Sequence, residues 1–296
     1  MHGLKVGHYT NSKQGTGASV FLFDKPAIGA FHLAGSSPAT FDLSVLDLAA
    51  NVTHVDGLAL LGGSASGLPA VAGAQQWLSE HDKGWLVPHG RVPLLPAAAI
   101  YDLGFQTSHV PTASNVYEAC ESAIQDNCES GSVGAGTGAT VGKIVPHTKP
   151  MKGGVGFQEI VLSPEVSVLV YAVVNCVGDV CNTTGKIIAG ARLANGDFVD
   201  SQQYLLSGQE EKRINNSNTT LIAVFTNAKF SKIELNRIAK MAVSGMSRAI
   251  LPVFTRYDGD IAFCFSVGKS HANELTVGAA AAEAARQAII NAVAKE

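Results

Sequence analysis

Residues 207–218 read SGQEEKRINNSN and residues 219–228 read TTLIAVFTNA, so a polar stretch with one apolar side chain gives way at once to an apolar run. The second half has the β-branched and aromatic content of a buried strand, which predicts a strand over 221–226. A loop of small and polar residues is where a chain is cut most readily, although an ordinary surface loop fits the same letters. Working outward, the apolar runs predict further strands over 18–23, 57–61, 158–162, 167–174 and 261–266. Helices are expected over 70–80, 231–250 and 273–294. The second opens with Ser231 and Glu234 at capping-box spacing and sets Leu235, Ile238, Ala242 and Met246 on one face. In the third, Leu275, Val277 and Ile289 are expected to pack on a sheet. Few long helices among many strands is the pattern of an α/β or α+β fold with layered sheets. No linker divides the chain, so residues 1–296 are expected to form a single domain.

Composition narrows the function. The chain has 296 residues, 46% of them hydrophobic and 15% charged, with 21 Lys and Arg against 24 Asp and Glu and a net charge of −3. Disorder and a basic nucleic-acid binder are both disfavoured. No apolar run reaches the roughly 18 residues of a membrane helix, and the start, Met1-His2-Gly3-Leu4-Lys5, has no apolar signal region, so a cytoplasmic protein is expected. Five cysteines, at 120, 128, 176, 181 and 264, form no CxxC pair and are odd in number, against a disulfide framework or zinc ribbon. Nine histidines stand singly, and none falls in a ligand spacing, so no metal is expected.

Several motifs fail on context. Gly134-Ala135-Gly136-Thr137-Gly138-Ala139 fits GxGxxA, but Pro146 and Pro150 interrupt the helix that should follow. Ending at Gly142-Lys143-Ile144, the same stretch lacks the Ser or Thr of a P-loop. What remains is a glycine-rich turn delivering Lys143. Ser266-Val267-Gly268-Lys269 matches SxxK but ends a strand instead of opening a helix. Gly62-Gly63-Ser64-Ala65-Ser66-Gly67 reads as a strand-to-helix turn, either merely tight or with amides free to bind an anion.

Taken together, LKVGHYTN, DGLALLGGSASGL with GAQQWLSEH, VPLLPAAAIYDL, VGAGTGATVGK, MKGGVGF, YAVVNCVGDV, NTTLIAVFTNA and RYDGDIAFCFSVG occur in order from Leu4 to Gly268. In these blocks the chain resembles the family of L-aminopeptidase/D-esterases, β-peptidyl aminopeptidases and nylon-oligomer hydrolases, which are self-processing N-terminal-nucleophile enzymes. The resemblance implies an α/β fold, a four-layer αββα sandwich with mixed sheets. It also implies a cut between Asn218 and Thr219 into chains 1–218 and 219–296, which stay associated, and a homo-oligomer acting on a small peptide or amide without a cofactor. A second Asn-Thr-Thr, Asn182-Thr183-Thr184, follows no polar loop and leads into Gly185-Lys186, not a strand. Thr with Asp-Gly-Asp leans toward the nylon-oligomer-hydrolase branch.

On this reading Thr219 is the nucleophile, and cutting supplies its base. A freed α-amine has an ordinary pKa of about 7.7–8.0 and takes the Oγ proton. Lys143 nearby would lower that pKa. Asp258 and Asp260, two apart, share one face if the strand starts this early and would orient the hydroxyl and amine, while a type I turn fits the same letters. Asn175 interrupts an apolar strand and is the candidate oxyanion donor, or a structural amide bonded to backbone. Tyr101 resembles the family's substrate-site tyrosine and otherwise reads as a core-edge aromatic. Two rivals stand beside hydrolysis: an ornithine-acetyltransferase-like acyl transferase, and a non-enzymatic relative that binds a ligand.

Overall fold

A computed structural model describes residues 1–210 and 218–293. Its main strands are Leu4–Asn11 (β1), Thr16–Leu33 (β2), His54–Leu61 (β3), Ala97–Ala99 (β4), Gly154–Ser163 (β5), Val166–Asn175 (β6), Thr219–Ala228 (β7) and Ile261–Ser270 (β8). The main helices are Val71–Glu80 (α1), Ala113–Glu121 (α2), Lys232–Ser247 (α3) and Glu274–Val293 (α4). Hydrogen bonding runs in the order β5-β6-β7-β8-β2-β3-β4, with β1 on the first half of β2. The pairs β7–β8 and β3–β4 are parallel and the rest of this path is antiparallel, so the sheet is mixed.

The long strand β2 turns this path into two layers. Its pairing with β3 slips between Leu22 and Ala27, where Pro26 has no N–H to give the ladder. Before the slip, Ala18, Val20 and Leu22 face α1 and α2, and Phe21 and Phe23 face inward. Beyond it, Ala30 joins the core under α3 and α4. Period-two alternation does the same in β7: Leu221, Ala223 and Phe225 point between the layers, Ile222 and Val224 toward the helices. The order is therefore α3 and α4, then β5 to β8, then β1, β3 and β4, then α1 and α2, the four-layer sandwich expected. Rings from both layers meet in the middle, with Phe21 and Phe225 centroids 5.1 Å apart and Phe23 and Phe265 also 5.1 Å apart. Such pairs add about 0.5–1.5 kcal/mol each beyond their burial.

All six predicted strands lie within observed ones. The capping box of α3 is formed, Ser231 N–H donating to Glu234 Oε2 at 2.7 Å. Its expected end at 250 is too late: Arg248 caps the helix, and Ile250–Leu251 pairs with Asp179 and Val180 as a short strand. Leu275 does not pack on the sheet, being 69% exposed, whereas Val277 and Ile289 are buried. Helix α2 was not anticipated. Among the described residues no helix is long and apolar enough to cross a membrane.

Candidate active site

The sheet itself gathers the predicted residues. Antiparallel pairing of β6 with β7 sets Asn175 opposite Thr219. Parallel pairing of β7 with β8 brings the segment before β8 alongside, closed by a bridge between Asn218 and Asp258. Thr219 is buried, 4% exposed, and its Oγ lies 2.5 Å from the Asn218 carbonyl oxygen. The same oxygen accepts the Gly259 N–H at 2.8 Å. A Cβ on Gly259 would lie 2.8 Å from Thr219 Oγ and 2.7 Å from the Ser37 carbonyl oxygen, so only glycine brings the backbone this close. Sequence reading did not single out Gly259, because a backbone donor leaves no side-chain signature.

Strand β8 starts at Ile261, so Asp258 and Asp260 precede it instead of sharing a strand face as expected. The reason is local: Asp258 N–H bonds the Thr255 carbonyl at 3.1 Å, closing a turn, and Asp258 Oδ2 accepts the Thr255 hydroxyl at 2.6 Å. Asp260 Oδ1 accepts the Thr220 N–H at 2.6 Å, fixing the backbone just after the nucleophile. Burial raises both carboxyls. Asp260 reaches about 8 through burial and then the charge of Asp258, while Thr255 and Lys143 oppose the rise at Asp258. Asp258 Oδ1 is buried with no partner among the described residues.

Lys143 arrives on the glycine-rich turn, where Gly142 has φ +75° and packs on the backbone of Gly190 and Ala191. Its Nζ donates to Asn175 Oδ1 at 2.8 Å and to the Asn175 carbonyl at 3.2 Å, and burial lowers its pKa to about 8. Asn175 Oδ1 also accepts the Thr140 N–H at 3.0 Å, and Asn175 Nδ2 donates to the Tyr101 carbonyl at 3.0 Å. Tyr101, Phe105, Thr140 and Lys143 line a cleft of about 270 Å³. Thr219 is not on its wall; Lys143, through Asn175, links the two.

The turn at Gly62–Gly67 has its leading amides occupied. Gly63 N–H donates to buried Asp102 Oδ1 at 2.7 Å and Ser64 N–H to the Ile100 carbonyl at 2.9 Å, so the acceptors it holds are the protein's own. The second Asn-Thr-Thr is an exposed Asx turn, with Asn182 Oδ1 accepting the Thr184 N–H at 3.0 Å.

Asp260 gives the fold a pH dependence. Its folded value, about 8, stands above the ordinary 3.8, so its contribution to stability is full below about pH 4 and lost as pH rises toward 8. Asp260→Asn in an uncut Thr219→Ala background is expected to gain Tm relative to its parent as pH rises from 5 to 8, read by calorimetry. A parallel shift at both pH values would contradict the assignment.

Comparison with known proteins gives the family and the fold. Peptidase family S58 matches residues 1–296. An uncharacterized aminopeptidase of Mycobacterium leprae (strain TN) is 34% identical over 286 residues, covering 90% of this chain and 77% of the relative. A 6-aminohexanoate-oligomer endohydrolase of Paenarthrobacter ureafaciens is 28% identical over 315 residues, covering 94% and 87%. Among solved structures, the L-aminopeptidase D-Ala-esterase/amidase of Ochrobactrum anthropi, described as a variant of the Ntn hydrolase fold, superposes with TM-score 0.71 at 15% identity, covering 99% of this chain and 84% of the other. A Burkholderia sp. beta-aminopeptidase gives 0.70 at 19% identity, covering 98% and 84%. These two likenesses carry the fold; the family match and the sequence relatives carry the class. The chain belongs to peptidase family S58 and is a hydrolase of the aminopeptidase/amidase type.

Proposed function

We propose that the chain is a self-processing N-terminal threonine hydrolase that cuts itself between Asn218 and Thr219 and then cleaves peptide or other amide bonds through an acyl-threonine. The observation that carries this reading is the pair of groups on the Asn218 carbonyl oxygen, Thr219 Oγ at 2.5 Å and the Gly259 amide at 2.8 Å. In the first step Oγ adds to the Asn218 carbonyl carbon, and the negative charge forming on that oxygen meets the Gly259 N–H. The C–N bond breaks as its nitrogen takes up the proton, leaving an ester. Water then splits the ester into the Asn218 carboxyl and a free Thr219.

The cut has a physical reason to run one way. Both amide atoms of the Asn218 side chain are buried without partners among the described residues, and each such group costs about 1–3 kcal/mol. Release of the chain end before Thr219 lets them reach water. The new α-amine forms beside Asp258, whose unpartnered Oδ1 is its natural acceptor, and positive Lys143 favours the neutral amine that serves as base. Asp260 holds the Thr220 amide, Asn175 fixes Lys143, and the cleft at Tyr101 receives an amide with an accessible amino end. The reaction needs no cofactor. Assembly into a homo-oligomer and a cytoplasmic location belong to the same proposal.

Intact-mass spectrometry of purified wild-type protein, with a chromogenic aminoacyl amide assayed on the same sample, tests it. Two masses meeting at residue 219 together with amide turnover are expected. Full turnover by an unsplit chain would end the proposal.

A further inference from the structure

At the opposite end of the inner layer, strands β7 and β8 run out in parallel, ten residues or about 30 Å from Thr219. Beyond them opens a second and larger cleft of about 500 Å³. Its walls hold Lys25, Lys229 and Lys269 with His54 and His271, and no carboxylate lines it. This concentration runs against the chain as a whole, which carries net charge −3. None of the three ammonium groups has an ion-pair partner among the described residues. The Ser266-Val267-Gly268-Lys269 stretch, which had no place in the hydrolase chemistry, forms one wall. Ser266 Oγ accepts the Phe230 N–H at 3.2 Å, and Gly268 packs so closely on the Asn227 carbonyl that a Cβ would lie 2.2 Å from it, so Lys229 and Lys269 are presented from backbones locked together.

A smaller hollow of about 240 Å³ adjoins the cleft, sharing Pro26 and His54, and is walled by half-exposed Trp85 and exposed Leu86. Its one acid, Asp56, is buried and turned to the Leu94 N–H at 2.9 Å. Three lysines lining one cleft next to an aromatic and aliphatic wall suit a ligand with a multiply charged phosphate end and an apolar, planar end. A concave volume of this size on an acidic chain suits a small molecule, not a nucleic acid or a membrane, which would require an extended basic face.

We infer that this second cleft binds a small phosphorylated molecule, its phosphates among Lys25, Lys229 and Lys269 and its planar part against Trp85. Titration calorimetry at fixed ionic strength tests this with inorganic tripolyphosphate and with ATP, which carry similar charge. Saturable one-site binding of both is expected, with ATP the tighter. Lys25→Gln/Lys229→Gln/Lys269→Gln should weaken both at least tenfold while leaving the melting curve and the processing of the chain unchanged, since all three side chains are exposed. Trp85→Ala should remove the advantage of ATP and leave tripolyphosphate binding as it was. Absence of saturation, or equal binding by the triple variant, overturns the site. Equal affinity for the two probes in the wild type overturns the role of Trp85.

Discussion

Thr219→Ala is expected to emerge from expression as one uncut chain with amide hydrolysis reduced by more than ~10³-fold, the order seen when a nucleophile is removed. The effect is large because no neighbour can stand in. Thr220 follows directly, but alternation along β7 turns it to the other face, and its amide is tied to Asp260. The variant loses one hydroxyl and one methyl from a site that the sheet holds on both sides, so folding should persist and loss of cutting will not be loss of structure. Thr219→Ser, which retains Oγ, is the companion: it should split at the same bond, read by intact mass. An uncut Ser variant of unaltered melting temperature would mean that the methyl group, not the hydroxyl alone, decides the attack.

Gly259→Ala is expected to slow self-cutting by about 10²–10³-fold, the loss of one oxyanion donor at about 2.7–4 kcal/mol. The added methyl would stand 2.8 Å from Thr219 Oγ and 2.7 Å from the Ser37 carbonyl, so the backbone must move and the amide leaves the Asn218 oxygen. Time-resolved mass spectrometry of freshly refolded precursor measures the rate. If Gly259→Ala cuts as fast as wild type, the amide at 2.8 Å serves only to hold the bridge to Asn218.

What the sequence made legible follows from where the signals lie. Apolar runs marked the strands, and Ser231 with Glu234 marked the start of α3, because side chains carry those signals. Helix α2 was hidden: it is nine residues long, and its capping box pairs Thr112 with Asn115 where Glu or Gln would be looked for. The full length of β2 was masked by Asp24-Lys25-Pro26, a polar break that proves to be the slip between its two halves. Leu275 was expected on the sheet with Val277, but two residues apart on a helix is about 200° of turn, which carries Leu275 to the exposed side. At the site, Thr219, Asp258, Asp260, Asn175, Lys143 and Tyr101 stood out as residue types in ordered blocks. Gly259 did not, nor did the capture of the Gly63 amide by Asp102, since both depend on which backbones the sheet brings together.

Strand β7 has β6 on one side and β8 on the other, and β8 in turn has β2. If the bond before Thr219 is cut as proposed, the shorter piece owns two neighbouring interior strands, flanked left and right by strands of the longer piece. It has no free edge along which to peel away. Heat or denaturant should take both pieces apart in one event, and recovery then becomes a meeting of two separate molecules, slowing on dilution in a way that the uncut chain does not.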